Sequence, residues 1–332
     1  MLRKTKSILP TPTGINIITV GLSPCWDITC RAPSLNWSCH QNLTSQTSQP
    51  AGKALNVSRA LAHMKIPSAA AGLWGRTDYP QMRQDLKSLA PLLNLHMTTA
   101  TGSTRQNITL IDTSRRREMH LRAPAHLLNR KSLRQLRTDL IKIITPNCFC
   151  VFSGSIPHDQ NFPHVIELIE SCRDLGARLV IDSSSLALRK IVELGGIYLI
   201  KPNLEELNEL LSRSIPDQPA ALAEAARSFT TQTQTILISR GLKGALAVTK
   251  NSAWRACCPL AANPTGSTAL STVGCGDHLL AGFLRGKYLN LSLNKSLQSA
   301  LQTATAHAWG LNHQSDGQKI TQKIKIELKA IK

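Results

Sequence analysis

The chain has 332 residues, of which 42% are apolar and only 4% aromatic, and its 39 basic and 20 acidic residues give it a net charge of +19. This length and apolar content predict a soluble globular protein with a large core, either one big α/β domain or two smaller ones. The low aromatic content argues against a surface that stacks single-stranded nucleic acid. The positive charge favours acidic partners, and phosphorylated small molecules are among them.

The apolar pattern predicts strands that alternate with helices along most of the chain. The first part contains a strand at 15–22, a helix at 56–65, a strand at 69–75 and a helix from about Gln81 to Leu93. The later elements are predicted as helix 130–144, strand 148–154, helix 161–175, strand 178–183, helix 185–194, strand 197–203, helices 204–212 and 218–229, and strands 235–241 and 244–250. Such alternation predicts a parallel sheet with helices on both faces.

Two polar blocks interrupt this pattern, and we expect them to meet as one lid. Both have the alternation of β-structure, and the basic run at 114–122 is typical of a solvated hairpin turn. The predicted organisation is an N-terminal extension at 1–14, a main α/β domain made of 15–27, 51–95 and 123–320, a β lid made of 28–50 and 96–122, and a C-terminal tail at 321–332.

Cysteine usage and the N-terminus predict a cytoplasmic protein. The nine cysteines include no C-x-x-C pair, which predicts reduced thiols. The basic N-terminus reaches Pro10 and Pro12 before any apolar segment forms, and no apolar run approaches about 18 residues. We therefore expect neither a signal peptide nor a membrane span.

Polar motifs follow the predicted strands, at the sheet edge where open α/β sheets bind their ligands. In chain order they are Asp27, SGS at 153–155, DSSS at 182–185, KPNLEE at 201–206, SRGLKG at 239–244 and GCGD at 274–277.

The last motif predicts an anion site beside a base. Gly274, Cys275 and Gly276 would form a turn at a helix N-terminus, where unpaired N–H groups and the helix dipole attract an anion. Asp277 would repel that anion unless it takes a proton from a nucleophile that attacks it. The alternative is a glycine-rich turn with Asp277 as an ordinary helix-end residue.

The motifs, in this order, resemble those of the ribokinase-like sugar kinases, in particular the phosphofructokinase B branch with 1-phosphofructokinase and tagatose-6-phosphate kinase. The resemblance extends from about residue 15 to about residue 315. The segments that carry it are SPCWD at 23–27, AGKALN at 51–56, GSTRQN at 102–107, SGSIP at 153–157, KPNLEEL at 201–207, SRGLKG at 239–244 and STVGCGD at 271–277.

This resemblance implies an α/β fold, namely a ribokinase-like three-layer α/β/α sandwich with a mostly parallel central sheet and a small β lid. It implies an ATP-dependent kinase that phosphorylates a hydroxyl of fructose 1-phosphate, fructose 6-phosphate or tagatose 6-phosphate. Asp277 would be the base, and the N–H groups of Gly274, Cys275 and Gly276 would hold the passing phosphoryl group.

On the nucleotide side, the resemblance places Lys201 and Asn203 near the ATP phosphates and gives Glu206 the orientation of Mg²⁺ through water. The other cofactor-binding residues are Ser239, Gly241, Gly244 and Thr272, with the segment 303–312 as a wall of the adenine pocket. An alternative for Asn203 and Glu206 is a capping box of an ordinary amphipathic helix.

On the acceptor side, Asp27 and Asn56 would bind sugar hydroxyls, and Arg105 would face the phosphate that the sugar already carries. The other acceptor-side residues are Gly52, Lys53, Asn107 and Ser155. The alternative for Arg105 is a surface charge on a hairpin. A homodimer through the lid follows from the resemblance alone.

Some positions depart from the family pattern. Ala51 and Ala54 replace glycines, which predicts strain if either needs a positive φ, and His278 stands where serine is common. Cys275 replaces alanine. A thiol at a helix N-terminus predicts a lowered pKa and sensitivity to oxidants, and the alternative is that it simply serves as a small residue.

Functions of other classes are alternatives to the kinase. The replaced glycines favour a catalytically impaired sugar-phosphate-binding regulatory protein of the same fold. The charge of +19 alone would favour nucleic-acid binding, although no helix-turn-helix, zinc-finger or stacking motif accompanies it. A nicotinamide oxidoreductase is disfavoured because no G-x-G-x-x-G follows the first strand.

Overall fold

The structure is a computed structural model that describes residues 16–157, 159–183, 185–259, 273–311 and 321–331. The strands are β1 Ile17–Gly21, β2 Cys25–Ala32, β3 Ser45–Ala51, β4 Ser68–Gly75, β5 Leu93–Ala100, β6 Gln106–Asp112, β7 Arg117–Arg122, β8 Phe149–Ser153, β9 Arg178–Asp182, β10 Ile197–Ile200, β11 Thr233–Ser239, β12 Ala245–Val248, β13 Ala253–Cys257 and β14 Glu327–Ile331. The helices are α1 Lys53–His63, α2 Tyr79–Asp85, α3 Arg130–Ile141, α4 Phe162–Asp174, α5 Ser185–Glu193, α6 Leu204–Leu211, α7 Pro219–Arg227, α8 Cys275–Tyr288 and α9 Leu293–Ala308.

A ten-stranded sheet in the order β14-β13-β12-β11-β10-β9-β8-β1-β4-β5 forms the centre of the main domain. Every pairing from β5 to β11 is parallel, whereas β12, β13 and β14 add antiparallel pairings at one edge. The central strands are short continuous apolar runs, as expected of strands that helices cover on both faces.

The side chains of neighbouring strand residues alternate between two apolar layers. Ile18 and Phe152 pack with the helices α3 to α7, whereas Ile17 and Val151 pack with α1, α8 and α9. The result is the predicted three-layer α/β/α sandwich with a mostly parallel sheet.

A second sheet, in the order β3-β2-β6-β7, forms the lid. The β2 and β6 strands run parallel, and β3 and β7 flank them in antiparallel pairings. The register places Asp27 of β2 opposite Asn107 of β6. The lid therefore brings together two acceptor-side residues that lie far apart in the sequence.

The structure corrects three of the sequence boundaries. Residues 96–100, predicted in the lid, belong to β5 and pair with β4 in the main sheet. Residues 327–331, predicted in a tail, form β14 and pair with β13. Both are edge strands whose mixed burial hid them, because only part of an edge strand packs against the core. The helix predicted at 81–93 is shorter and ends at Asp85.

The basic run at 114–122 is only partly a turn, because its last six residues form the strand β7. Among the residues that the structure describes, no helix has both the length and the apolar character needed to cross a membrane.

Candidate active site

Asp277 lies in the first turn of α8, and its carboxylate is buried with 5% of its surface exposed. Asn56 Nδ2 of α1 donates a hydrogen bond to Asp277 Oδ2 at 2.9 Å. Burial, together with the nearby charge of Asp182, raises the pKa of Asp277 to about 7. The N-cap of α8 is Gly274, so Asp277 lies inside the first turn and is not the N-cap residue. Its burial and its contact with α1 are features that an ordinary helix-end residue does not need.

A cluster of charges lies next to this carboxylate. Asp182, at the end of β9, lies 3.0 Å from Lys201 Nζ and 3.9 Å from Lys53 Nζ, and it accepts a hydrogen bond from Ser153 Oγ at 2.8 Å. Burial alone would raise the pKa of Asp182, but the two ammonium groups hold it below its ordinary value. Its charge repels a negative charge on Asp277.

Lys201 connects this cluster to the glycine-rich turn. Its ammonium group is buried, and although burial alone would lower its pKa, the neighbouring carboxylate of Asp182 raises it above its ordinary value. A Cβ atom added at Gly276 would lie 3.4 Å from Lys201 Nζ. A buried, charged ammonium therefore lies directly against the predicted anion-binding turn.

The turn itself has the predicted form. Gly274 is the N-cap of α8 and adopts φ +78, a conformation that L-residues with side chains rarely adopt. The α8 helix begins at Cys275. The first N–H groups of a helix have no partner within it, so this turn presents donors to an anion. Thr272, the other predicted residue of this segment, lies outside the described residues.

A largely apolar cavity of about 280 Å³ adjoins the same turn. Its lining includes Ser239, Gly241 and Gly244 of the loop after β11, and Cys275 and Gly276 of the turn. The helices contribute Leu279, Leu301, Ala304, Thr305, Ala308 and Trp309. Residues of the segment 303–312 thus form part of the wall, and the volume and lining fit the flat apolar base of a nucleotide.

The loops around this cavity are held together by backbone pairing. Ser239 N donates to Pro202 O at 3.0 Å, and Asn203 forms an isolated parallel bridge with Ser239. A Cβ atom at Gly244 would lie 2.0 Å from the Ala256 carbonyl oxygen. The glycine at 244 is therefore required by packing against β13, whatever the cavity binds.

Asn203 and Glu206 form a complete capping box at the start of α6. Asn203 Oδ1 accepts from Glu206 N at 2.8 Å, and Glu206 Oε2 accepts from Asn203 N at 2.9 Å. The charge of Glu206 also acts on Lys201. The capping interpretation thus describes the geometry, and it does not exclude a role for the carboxylate toward a cation near Lys201.

On the acceptor side, Asp27 and Asn107 face each other across the lid strands. Asp27 Oδ1 accepts hydrogen bonds from Asn107 Nδ2 at 3.4 Å and from Cys25 Sγ at 3.3 Å. Burial, and then Asp27, raise the pKa of Cys25 to about 12, so its thiol stays protonated as a donor. Asn107 Oδ1 is buried and accepts no hydrogen bond from the described part of the chain. A ligand hydroxyl would satisfy it.

The acceptor-side residues are connected to Asp277 through the start of α1. Asn56 N donates to Gly52 O at 2.9 Å, and Gly52, Lys53 and Ser153 line one small cavity together with Pro24. Gly154 lies beside Lys53, since a Cβ atom added there would be 3.8 Å from Lys53 Cβ. The next residue in this loop, Ser155, is exposed.

Arg105 lies next to this loop, but its guanidinium is engaged. It donates to three backbone oxygens, from Nε to Pro24 at 3.2 Å, from Nη1 to Ala123 at 2.7 Å and from Nη2 to Ser23 at 3.3 Å. It is therefore not the free surface charge of the alternative interpretation. A guanidinium has five N–H donors, so these bonds fix its plane and leave donors for an anion.

Sequence reasoning assigned no individual role to two residues of this region. Asp182 is the last residue of β9 and begins a serine-rich motif. Its position at the carboxyl end of a parallel strand was the sequence signal for a role in the site. Arg59 follows Asn56 by three residues on α1, and it binds Gln49 Oε1 at 3.0 Å and Pro50 O at 3.3 Å beside the charge of Asp27. Its helical spacing from Asn56 was the available signal.

Two expectations about the departures from the family pattern change. Neither Ala51 nor Ala54 has a positive φ, so their methyl groups add no backbone strain. The lowered thiol pKa expected at Cys275 is wrong. Burial, and then the charge of Asp277, raise the pKa of Cys275 to about 11, so the thiol is protonated at neutral pH and is not a reactive thiolate.

Solved structures share this architecture. The phosphofructokinase-2 from Escherichia coli in complex with fructose-6-phosphate matches with a TM-score of 0.83 and 25% identity, over 93% of this chain and 99% of that chain. A putative phosphofructokinase from Staphylococcus aureus, at 23% identity and a TM-score of 0.79, shares the fold over 95% of this chain and 99% of that one. The sandwich and its lid define a ribokinase-like fold.

The sequence comparisons identify the family. The family described as pfkB family carbohydrate kinase matches residues 18–309, so the chain belongs to this family. It is 28% identical to the ATP-dependent 6-phosphofructokinase isozyme 2 of Escherichia coli K12, over 88% of this chain and 91% of that protein. It is 29% identical to a 1-phosphofructokinase of Borreliella burgdorferi, over 89% and 91%. Its family transfers a phosphoryl group to an alcohol, as the sequence motifs predicted.

Proposed function

We propose that this protein is an ATP-dependent kinase of a ketohexose phosphate and that Asp277 is its general base. The observation that carries the proposal is the position of the buried Asp277 carboxylate, whose pKa is about 7. It lies between the glycine-rich turn, which Lys201 contacts, and Asn56 of α1 on the sugar side. A base is most effective when its pKa lies near the working pH. The relatives named 6-phosphofructokinase and 1-phosphofructokinase support this substrate class.

The proposed step uses each neighbour of Asp277. The carboxylate accepts the proton of the sugar hydroxyl while that oxygen bonds to the γ-phosphorus of ATP, and the bond from this phosphorus to the leaving ADP oxygen breaks. Asn56 orients the carboxylate through its 2.9 Å hydrogen bond. Lys201 and the N–H groups of Gly274, Cys275 and Gly276 stabilise the charge on the passing phosphoryl group.

The nucleotide side of the proposal rests on the 280 Å³ cavity. Its apolar walls would hold adenine, and Ser239 and Gly241 at its rim would contact the nucleotide beyond the base. Lys201 and Asn203 would lie at the phosphates. Mg²⁺ prefers oxygen ligands and keeps several waters, so the Glu206 carboxylate fits a water-mediated role beside the phosphates, where Mg²⁺ would neutralise part of their charge.

The acceptor side of the proposal explains the unpaired oxygen of Asn107. Asp27 would accept a hydrogen bond from one sugar hydroxyl and Asn107 Oδ1 from another. Arg105 would bind the phosphate of the sugar with donors that its three carbonyl bonds do not use. Lys53, with its side chain 44% exposed, adds a positive charge that solvent and ligand can reach, and Ser155 lies in the neighbouring loop.

We also propose that the protein is a cytoplasmic homodimer whose lids pair. Its nine cysteines are all free thiols, which supports a reducing compartment. Four large apolar side chains are exposed on the lid, and such exposed patches are typical of protein interfaces. These side chains are Trp37, Leu43, Met119 and Leu121.

A ligand panel tests the substrate class. The three ketohexose phosphates, each with a non-hydrolysable ATP analogue, are compared by thermal shift, and then with ATP and Mg²⁺ by ADP release. The true substrate should raise Tm by several degrees, since a ligand at about 100 times its Kd stabilises by about 2.7 kcal/mol, and it should release ADP. A shift without ADP release would favour the impaired regulatory protein. Neither signal with any sugar would overturn the proposal.

A further inference from the structure

Two histidines form a stacked pair behind the glycine-rich turn. The rings of His278, in the first turns of α8, and His307, in the last turn of α9, lie 3.6 Å apart between centroids at an interplanar angle of 11°. The family pattern has serine at the position of His278, so the pair is a feature of this chain and does not follow from the resemblance. The mechanism above assigns neither residue a role.

Each ring is bonded to one carbonyl of the turn. His278 Nδ1 lies 2.9 Å from Gly274 O, and His307 Nε2 lies 2.8 Å from Val273 O. A carbonyl oxygen only accepts, so both nitrogens must carry hydrogen. The rings are therefore held through opposite nitrogens. Burial, and then the neighbouring ring of His307, lower the pKa of His278 to about 3, so that ring is neutral at physiological pH.

His278 N also donates to Gly274 O at 3.0 Å as the first helical hydrogen bond, so the ring of His278 reinforces the direction of this carbonyl, whereas the ring of His307 holds the Val273 carbonyl. In a trans peptide unit the C=O and the following N–H point in opposite directions. When the Val273 and Gly274 carbonyls are bound on the histidine side, the N–H groups of Gly274 and Cys275 point to the other side. These are two of the three N–H groups assigned to the phosphoryl group.

The packing leaves this turn little freedom. A Cβ atom added at Gly274 would lie 3.0 Å from His307 Nε2, so the imidazole is in contact with the backbone of the turn. Because His307 lies on α9 and His278 on α8, the stacked rings also connect the turn to both helices. A donor that is fixed before the reaction stabilises transition-state charge without the cost of reorganisation.

We propose that His278 and His307 are positioning residues that orient the N–H groups of Gly274 and Cys275 toward the transferred phosphoryl group. This inference rests on the proposed kinase function. Neither imidazole touches a substrate. Each acts through the carbonyl that it binds, and the pair replaces the shorter side chain found at position 278 in the family pattern.

Paired substitutions separate this role from simple packing. His278→Leu and His307→Leu remove the donors, and kcat should fall about tenfold or more while the KM values for ATP and sugar change less than about threefold, because the donors act mainly in the transition state. His278→Asn places a donor near the Nδ1 position and His307→Gln near the Nε2 position, so each should recover most of the lost kcat. His96→Leu, at an exposed histidine of β5, is the matched control.

An NMR readout tests the pair independently of turnover. In the full-length protein the ¹⁵N–¹H spectrum of the imidazoles should show hydrogen on Nδ1 of His278 and on Nε2 of His307. The opposite tautomer at either ring would overturn the inference, and so would unchanged kcat in both leucine variants or an equal loss in the Asn and Gln variants. If the wild type phosphorylates no ketohexose phosphate, the kinase proposal fails. The tautomers then still test whether the two histidines hold the carbonyls of the turn.

Discussion

The chemistry of single residues depends on how the fold surrounds them. Asp277 and Asp182 are both buried carboxylates, yet their pKa values move in opposite directions. Asp182 has two ammonium neighbours, whereas Asp277 has an amide partner and the negative charge of Asp182 nearby. Asp182 therefore stays ionised at neutral pH, whereas Asp277 takes up a proton near neutral pH.

Replacement of the base should separate activity from stability. Asp277→Asn keeps the size of the side chain but removes the proton acceptor, so kcat should fall at least about 100-fold in an ADP-release assay. Asp174→Asn, at an exposed carboxylate at the end of α4, is the control and should keep its activity. Asp277→Asn activity within a few-fold of wild type would contradict the assignment of the base.

The same variant has a predicted pH signature in stability. The folded pKa of Asp277 is raised from 3.8 to about 7, so its contribution to stability is fully present below about pH 4 and is lost as pH rises through 7. Above pH 7, Asp277→Asn should be more stable than wild type by about 1–3 kcal/mol, and this difference should vanish near pH 4. Urea unfolding at both pH values measures it. An equal difference in unfolding free energy between the two proteins at both pH values would contradict the raised pKa of Asp277.

Catalysis should follow the same ionisation. Asp277 must be ionised to accept the hydroxyl proton, so kcat/KM for the sugar phosphate should rise tenfold per pH unit below about 7 and level off above it. A profile measured from pH 5.5 to 9 tests this. A flat profile would mean that another group takes the proton.

Glu206 allows its two roles to be separated. Glutamine completes a capping box as glutamate does, so Glu206→Gln should keep Tm within about 1 °C while the Mg²⁺ concentration for half-maximal activity rises several-fold, because a neutral amide attracts the cation less. Glu209→Gln, at an exposed glutamate of the same helix, is the control. An unchanged Mg²⁺ requirement would leave Glu206 as a helix cap only.

At the scale of elements, the lid has an apolar patch that the described part of the chain leaves exposed. Met119 and Leu121 lie on one face of β7 and are 43% and 46% exposed. If lids pair, Leu121→Lys should shift the molar mass from dimer to monomer in size exclusion with light scattering. Leu175→Lys, at an exposed leucine beside α4, should not. A wild-type monomer would contradict the pairing.

The sequence predicted the elements of the core better than those of the edges. The β1, β8 and β9 strands are continuous apolar runs because helices cover both faces, and such runs are readable in one dimension. The sequence pattern placed residues 96–100 of the edge strand β5 in the lid and the edge strand β14 in a tail. Their pairing with β4 and β13 depends on which segments the fold places beside them, which local pattern does not encode.

The candidate site shows the same distinction. Asp277, Lys201 and Asn203 were predicted because their motifs occur in order along the chain. The pairing of Asp182 with Lys201 and the three carbonyl bonds of Arg105 were not, because they join segments that only the fold brings together. The raised pKa of Cys275 was missed because the helix terminus predicts the opposite direction when burial is unknown.

At the scale of the whole molecule, the net charge of +19 should attract both anionic substrates. Long-range attraction is screened by salt, so kcat/KM should fall several-fold between about 20 and about 200 mM sodium chloride while kcat changes less. Sucrose at equal osmolality is the control. A salt-independent kcat/KM would show that the excess charge serves another purpose.

The central claim is that one cleft joins the base at 277 to the sugar-side residues and transfers a phosphoryl group between two bound substrates. Its most direct test is ³¹P NMR of the enzyme with ATP, Mg²⁺ and each ketohexose phosphate in turn. We predict that one sugar gives ADP and a sugar bisphosphate in equal amounts, and that Asp277→Asn forms both at least about 100-fold more slowly. Inorganic phosphate with ADP, or no change with any of the three sugars, would contradict the account.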